Sequence, residues 1–368
     1  EAIVAAERMQ GDISVAVTSN NIARILQELG CLPEAKGYYY RALQSDYGKD
    51  VRKQYGPESN KKSTDKNATA AAASTIPSPQ THLESGKLVT ELPASTINLY
   101  STVWYNLGLI HDKEGAFRQA IRAFQMSLSL RMVMLGPDHA DCACLLYNIG
   151  VLQMEQQLLQ EATQSLREAL RIRRRSTTAT STTSTASPQG QLHDGHVVKT
   201  LQKLASLHKS KGNIPGALEA QREIGNIQQY SVEFASEVLR VKDMSSTLRE
   251  MADLYHSAGQ MKEAIEQATL SVNNMRHLLA TTATTAAINH NEDDITKLVQ
   301  CLEELVAGLL LLGSLYHEQC EPEMARSLYS EASQTLVRAS QLFDHGTELD
   351  ALQQVTTMLA TCHCAPQA

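Results

Sequence analysis

Aromatic residues are scarce in this chain, and glycine and proline are few. Its 368 residues include one Trp and four Phe, and aromatic residues make up 5% of the total. That share is too small for the core of a typical globular enzyme of this size. The chain has ten Pro and 19 Gly. Hydrophobic residues still reach 42%, and Ala, Leu, Gln, Glu and Ser dominate, as in packed helices. The sequence therefore predicts an all-α fold.

Other features that the sequence lacks exclude some classes of function and some cellular locations. A net charge of −7 does not supply the dense basic face that phosphate binding needs, so nucleic acid is not expected as the main ligand. The seven Cys follow no disulfide framework, which indicates reduced thiols in the cytoplasm. The most apolar run, Leu305 to Tyr316, has about a dozen residues, short of the roughly twenty in a membrane span. The opening residues resemble the tail of an amphipathic helix rather than a signal peptide, so we expect a fragment of a longer protein.

Motifs of catalysis and metal binding are also missing from the sequence. It contains no Gly-rich phosphate loop, nucleophile elbow or His-Glu zinc motif. The pairs Cys142 with Cys144 and Cys362 with Cys364 lack the second matching pair of a structural zinc site. We therefore expect no catalysis, no cofactor and no metal.

What the sequence does contain is a recurring pattern of apolar and small residues. In each copy an apolar residue is followed directly by a small residue, and a third residue of the same helix lies four positions after the first. A turn residue lies eight positions after the first residue and an Ala thirteen positions after it. The last two members, usually a bulky residue and a small one, lie seventeen and twenty positions after it. The six copies are Ile22, Ala23, Leu26, Gly30, Ala35, Tyr39, Ala42; Leu107, Gly108, His111, Gly115, Ala120, Phe124, Ser127; Ile149, Gly150, Gln153, Gln157, Ala162, Leu166, Ala169; Leu204, Ala205, His208, Gly212, Ala217, Gln221, Ile224; Met251, Ala252, Tyr255, Gly259, Ala264, Ala268, Ser271; and Leu312, Gly313, Tyr316, Cys320, Ala325, Tyr329, Ala332.

This spacing predicts a pair of antiparallel helices in each copy. Small residues such as Gly108 and Ala120 let the two helices approach closely, while Phe124 fills the space beside them. Gly115 stands where the first helix must end in a left-handed residue. Such pairs bury their apolar faces only by stacking, so we expect a right-handed α-solenoid of about six helix-turn-helix repeats.

The pattern resembles the tetratricopeptide repeat, and within it the kinesin light chain and nephrocystin group. The fragment Trp104, Leu107, Gly108 matches the tetratricopeptide motif, although the central spacing, 149 − 107 = 42, exceeds the usual 34 residues. The resemblance to the kinesin light chain group rests on the segment from Leu135 to Asp141 (Leu-Gly-Pro-Asp-His-Ala-Asp) and on Tyr147–Gly150 after it.

The spacings between copies predict the boundaries of the units. The surplus tracts are rich in Ser, Thr and Ala and bury too little apolar surface, so we predict disordered insertions there. The predicted organisation is 1–15, the tail of a preceding repeat or a linker; 16–58, 94–138, 139–175, 191–232, 233–280 and 295–341, repeats 1 to 6; 59–93, 176–190 and 281–294, disordered insertions; and 342–368, a C-terminal capping helix and tail.

Binding in solenoids of this class uses the groove lined by the first helix of each unit. The candidate groove residues are Asn20, Asn21, Arg24, Tyr105, Asn106, Lys113, Tyr147, Asn148, Lys199, Gln202, Lys209 and Arg249. Asn21, Asn106 and Asn148 take the same place in three units, and a side-chain amide can both donate to and accept from a peptide backbone. The resemblance to kinesin light chains implies that such a row holds an extended peptide. The alternative is that these Asn side chains bridge neighbouring helices and stabilise the stack.

The densest run of basic residues extends from Arg171 to Arg175, at the end of a predicted helix. Cations there complement the exposed carbonyls of the helix end, and an import signal or an acidic partner is the alternative.

The function predicted from these features is a non-catalytic scaffold or adaptor. It would bind peptide segments of partner proteins, with a cytoskeletal motor or a ciliary complex as candidate partners. The alternative is the regulatory sensor arm of a larger multidomain enzyme, such as a nucleotide-switch ATPase. A purely structural role through self-association of the repeat ends is a third reading.

Overall fold

Helices account for the architecture of the chain. The computed structural model describes residues 2–44, 94–181, 188–230, 237–289 and 292–342, and within these ranges it contains twelve helices and no strand. The helices are α1 (Ala2–Glu28), α2 (Leu32–Leu43), α3 (Ala94–Lys113), α4 (Phe117–Leu135), α5 (Ala140–Glu155), α6 (Leu159–Ser181), α7 (Pro188–Ser210), α8 (Ile214–Tyr230), α9 (Glu237–Ser257), α10 (Met261–Asn289), α11 (Glu292–Glu318) and α12 (Pro322–Leu342). The predicted all-α repeat fold is confirmed.

The helices form six consecutive pairs in two compact units. Residues Glu1–Ala186 form unit 1 and Ser187–Ala368 form unit 2. In each pair the odd-numbered helix is the first helix and the even-numbered helix is the second. Within a unit, each later first helix also packs on the preceding second helix, as α3 does on α2 and α5 does on α4. The apolar cores therefore run from pair to pair within a unit.

Close approach within a pair depends on the small residues of the pattern. A Cβ atom on Gly108 would lie 2.5 Å from Cε1 of Phe124, and one on Gly150 would lie 2.8 Å from Cγ of Leu166. Both distances are too short for carbon atoms in contact. The glycine therefore leaves the space that the bulky residue of the second helix fills, as the sequence pattern predicts.

The turns inside the pairs repeat one backbone geometry. Gly115 has a φ of +71°, and the amide of Ala116 donates to the carbonyl of His111 at 2.8 Å. This bond closes the end of α3 in the way that left-handed helix caps do. Gln157 and Cys320 take the same left-handed place in the third and sixth pairs, each with a φ of 60°.

The described parts of two predicted disordered insertions are helical. The first, 176–190, is entered by α6, which continues to Ser181, and by α7, which begins at Pro188. The second, 281–294, is crossed by α10 up to Asn289 and by α11 from Glu292. The prediction of disorder was wrong here because it weighed apolar content alone. Alanine has the best helix propensity, and Thr hydroxyls can bond back to the helix, as Thr282 does to the carbonyl of Leu278 at 3.0 Å.

The other predicted segments compare with the structure as follows. Residues 2–15, predicted as a tail or linker, are the first half of α1, which runs unbroken to Glu28. The insertion 59–93 and residues 343–368 of the predicted capping segment lie outside the described residues.

The most apolar helix is longer than its apolar run suggested. By length and composition, Thr296–Glu318 of α11 could cross a membrane, whereas the sequence reading gave the run only about a dozen residues. In this fold half of its most apolar stretch is buried. Leu309 and Leu315 have no exposed surface, and they belong to the core that α11 shares with α9, α10 and α12. A buried core helix accounts for this composition.

Candidate functional site

The candidate site is the face of unit 1 that the first helices α1, α3 and α5 line, called here the first-helix face. The candidate residues divide by accessibility as follows: Asn21, Arg24, Lys113, Lys199, Gln202 and Lys209 are exposed; Tyr105, Asn106, Tyr147, Asn148 and Arg249 are half-buried; and Asn20 is buried. Lys199, Gln202, Lys209 and Arg249 belong to unit 2, so they are considered separately from the rest.

Two of the Asn residues that were predicted to line the groove point into the protein instead. Asn20 is 6% exposed, which removes it from the predicted groove. Asn106 lies beside the hydroxyl of Tyr39 on α2, and that hydroxyl donates to Oε1 of Gln27 at 2.9 Å. Burial raises the pKa of Tyr39 to about 12, and the Asn106 amide acts in the opposite direction. Asn106 therefore faces the preceding pair, which favours the stacking alternative at this position.

The two candidate tyrosines are held by arginines of their own pairs. The guanidinium of Arg131 lies 5.4 Å from the ring centre of Tyr105, and that of Arg173 lies 4.9 Å from the ring centre of Tyr147. Arg131 and Arg173 are 42 residues apart, as are Tyr105 and Tyr147, so the contact repeats from pair to pair. The cation of each arginine over the aromatic face holds the ring in place against the core of its pair.

In unit 2, charged side chains join the first helices α9 and α11. Nη1 of Arg249 on α9 lies 2.5 Å from Oε2 of Glu304 on α11. His256 on α9 similarly contacts Glu318 on α11 at 2.7 Å. The charge of Arg249 is therefore neutralised within the chain. Arg249 is thus less available to a peptide in the predicted groove.

The other candidate cations make no ion pair among the described residues: Arg24 and Lys113 in unit 1, and Lys199 and Lys209 in unit 2. Among the residues that the structure describes, Arg24 on α1 and Lys113 on α3 are exposed and make no ion pair. Asn21 is exposed one helical turn before Arg24, and Asn148 is half-buried on α5. The accessible part of the first-helix face thus offers amides and two unpaired positive charges.

The basic run has a role that the sequence did not show. Nη2 of Arg171 lies 2.5 Å from Oδ1 of Asp138, and Nη1 of Arg175 lies 2.8 Å from Oδ2 of the same carboxylate. The hydrogen bond from Arg171 holds the pKa of Asp138 below its usual range. Nδ1 of His139 accepts from the amide of Asp141 at 3.2 Å and caps α5. The arginines of α6 therefore fix the loop between α4 and α5.

A second polar cluster joins the first two pairs and was also missed from sequence. Nζ of Lys36 lies 2.8 Å from Oε2 of Glu114, and the hydroxyl of Tyr40 is 3.1 Å from Nε2 of His111. Burial lowers the pKa of His111, and Lys36 lowers it further. The hydrogen bond from Lys36 lowers the pKa of Glu114. These residues lie 71 to 78 positions apart, too far for spacing to reveal them.

Cys142, one of the paired cysteines considered as metal ligands, takes part in packing. Cys142 is buried, and its thiol donates to the carbonyl of Gly136 at 3.5 Å. Burial raises the pKa of this thiol to about 11. Within the described ranges, His, Cys, Asp and Glu do not gather in groups of three or more that could hold a metal. Cys362 and Cys364 lie outside those ranges.

Comparison with known proteins identifies the repeat class. Residues 99–175, which cover most of α3 to α6, match the family model of the tetratricopeptide repeat. This match identifies α3 to α6 as tetratricopeptide repeats, as the pattern of small and bulky residues predicts. A search of the curated proteins found no match.

Several solved structures are similar in fold. A putative kinesin light chain from Podosopora anserina with TPR-like repeats is 15% identical, covers 67% of this chain and 98% of its own, and gives a TM-score of 0.44. BtubC (BKLC) from P. vanneervenii is 14% identical and covers 73% of this chain and 91% of its own, with a TM-score of 0.41. The apo form of RapI is 11% identical, with coverages of 71% and 83% and a TM-score of 0.44.

Proposed function

We propose that the protein is a non-catalytic adaptor that holds an extended segment of a partner protein on the first-helix face of unit 1. Proteins built from this repeat are scaffolds for protein partners, and the fold supports that general role. A kinesin-light-chain-like cargo adaptor in the cytoplasm is the specific form of the proposal. Its support is the resemblance carried by the segment from Leu135 to Asp141 and by Tyr147–Gly150.

The accessible amides and unpaired cations of unit 1 carry the proposal. In unit 2, Arg249 is neutralised by Glu304 on the next first helix, whereas Lys199 and Lys209 are exposed and make no ion pair among the described residues. In unit 1 the described contacts leave Arg24 and Lys113 unpaired, and Asn21 is exposed one helical turn before Arg24. An extended peptide needs donors and acceptors for its backbone, which amides supply, and free cations attract its acidic side chains. The segment bound best is therefore expected to be extended and acidic.

A photo-cross-linking experiment tests where the partner lies. A photoreactive amino acid placed at Leu109, which is half-buried on α3 near Lys113, should capture the bound segment in a cell extract. The same amino acid at Leu270, which is 47% exposed on second helix α10, is the matched control. Mass spectrometry of the captured peptide then identifies the segment. Equal capture at both positions would contradict a site on the first-helix face.

Variants then test which residues bind that segment, measured by fluorescence anisotropy with the identified peptide. We expect Asn21→Ala with Asn148→Ala to weaken binding about 10-fold, the loss of one or two net hydrogen bonds. Gln119→Ala with Asn273→Ala removes two exposed amides from second helices, and binding should stay unchanged. Circular dichroism must show unchanged helicity in both double variants. Full binding by the first of them would show that the accessible Asn residues take no part.

A further inference from the structure

The first and second pairs are joined by polar contacts around a buried histidine. The ring of His111, near the end of α3, is 4% exposed, and its Nε2 lies 3.1 Å from the hydroxyl of Tyr40 on α2. Nζ of Lys36, also on α2, lies 2.8 Å from both carboxylate oxygens of Glu114, which directly follows α3. These four residues, called here the His111 cluster, therefore connect α2 to the second pair in one place.

Glu114 lies within reach of two cationic partners in this cluster. Its Oε2 is 2.8 Å from Nζ of Lys36 and 3.4 Å from Nδ1 of His111. Lys36 approaches Glu114 across the boundary between the pairs, whereas His111 and Glu114 belong to the same pair and are three residues apart. The partner that Glu114 binds therefore depends on the charge of the ring and on whether α2 stays packed against α3.

The closed arrangement of the cluster favours a neutral ring. A protonated ring would place a second positive charge beside Lys36, in a site that water hardly reaches. Separation of α2 from α3 would take Lys36 away from the ring and admit water to it. Glu114 would stay within reach of the ring, because residues three apart are neighbours at a helix end. The protonated ring is therefore favoured when the two pairs separate.

The other charges near this end of the helices are exposed to solvent and screened by it. Burial and Lys36 lower the pKa of His111, whereas Glu114 raises it. The remaining charged residues near this end of α1, α2, α3 and α4 are exposed: Arg24, Glu28, Glu34, Asp112, Lys113, Arg118 and Arg122. The balance at the ring is therefore set within the His111 cluster.

We propose that the His111 cluster is a pH-sensitive contact, which holds the first pair against the second at neutral pH and releases it under mildly acid conditions. In the closed state Glu114 binds Lys36, and in the open state it binds the protonated ring of His111. Helix α1 belongs to the pair that is released. Weaker binding of a partner on the first-helix face in acid is a further consequence, and it rests on the proposed function.

Amide hydrogen exchange of the full chain tests the release without any partner. Rates at pH 7.5 and pH 5.5, corrected for intrinsic exchange, give the protection of α2. In the wild type we expect this protection to fall about 3- to 10-fold between the two pH values. In His111→Gln it should change little, because the amide does not titrate. This variant is expected to fold, since Gln153 takes the same place in the third pair and is buried.

A second variant, Lys36→Gln, tests the exchange of partners by Glu114. Without Lys36 the carboxylate can bind the protonated ring while α2 stays packed, so release is no longer tied to the charge of the ring. Protection of α2 should be lower at both pH values, and the ratio between them should be closer to one than in the wild type. Arg41→Gln removes an exposed cation of α2 outside the cluster and should leave the wild-type ratio unchanged.

Three results would overturn the proposal. Protection of α2 that falls equally in the wild type and in His111→Gln would assign the pH effect to another group. A wild-type ratio in Lys36→Gln would mean that Lys36 only stabilises the junction. Unchanged protection of α2 in acid would exclude the release, and it would leave the proposed binding on the first-helix face intact.

Discussion

Arg171 and Asp138 are 33 residues apart in the chain, and their side chains meet at 2.5 Å. The bond joins second helix α6 to the loop that precedes first helix α5, and Arg175 holds the other oxygen of the same carboxylate. Because α5 and α6 form one pair, the loop before the pair is fixed by the end of that pair. The Gly136–Pro137–Asp138 segment is thus held in a defined position.

The first prediction concerns this loop. Arg171→Ala should lower the free energy of unfolding by about 0.5 to 1 kcal/mol, because the partly exposed pair is screened by solvent. The hydrogen bonds hold the pKa of Asp138 down in the folded state. The stabilisation is therefore present above the unfolded pKa of Asp and is lost as the pH falls through the lower folded value. A double-mutant cycle with Asp138→Ala, by urea unfolding at neutral pH and near pH 3, measures it. Equal coupling at both pH values would contradict this account.

The second prediction concerns the close approach of helices. Gly108→Ala should destabilise the protein by about 1 to 3 kcal/mol, because the new methyl group meets the ring of Phe124. Gly37→Ala in α2 is the control: a Cβ there has nothing within 4 Å, and alanine favours the helix by about 0.5 to 1 kcal/mol. Chemical denaturation of both variants should give shifts of opposite sign. Shifts of the same sign would mean that backbone propensity outweighs packing at Gly108.

The third prediction concerns His111. Burial and Lys36 lower its pKa in the folded state, so the unfolded chain binds more protons around the unfolded pKa. Stability should therefore fall as the pH drops from 7.5 to 5.5. Over this range the carboxylate of Glu114, whose pKa is also lowered, stays ionised and contributes little to the change.

His111→Gln removes the titrating group while keeping a polar partner for Tyr40. In urea unfolding at the two pH values, the variant should lose part of the pH dependence of the wild type. An unchanged difference would assign the effect to another group.

The fourth prediction concerns thiol reactivity. Burial raises the pKa of Cys142 to about 11, and its thiol is enclosed by the fold. Because the thiolate is the reactive form, alkylation at pH 8 should modify the exposed Cys31 and Cys320 much faster than Cys142. Mass spectrometry of timed samples follows each residue, and a sample in urea should show similar rates for all three. Fast modification of Cys142 in the native protein would show that the start of α5 opens readily.

The sequence predicted the fold well where local chemistry determines it. Gly108 with Phe124, and Gly115 at the turn, could be read from spacing because each pair is built from residues close in sequence. The helices across 176–181 and 281–289 were missed because Ser, Thr and Ala extend a helix without burying much apolar surface.

The candidate site was predicted less completely. Spacing selected Asn21 and Arg24, which are exposed in the structure, but it could not show which cations are neutralised. The pair of Arg249 with Glu304 spans 55 residues and depends on how two helices stack. The inward direction of Asn106 depends likewise on Tyr39, which belongs to another pair. Contacts between pairs have no fixed spacing in the sequence, so only the structure shows them.

The left-handed turns give the array an uneven resistance to opening. Four of the six turns use glycine, whereas the third and sixth use Gln157 and Cys320. A residue with a side chain is less stable in this conformation than glycine by about 1 kcal/mol. The free energy of local opening is therefore expected to differ from turn to turn. Amide exchange through local opening should be faster around Gln157 than around Gly115. A repeating architecture thus has a preferred order in which its parts come apart.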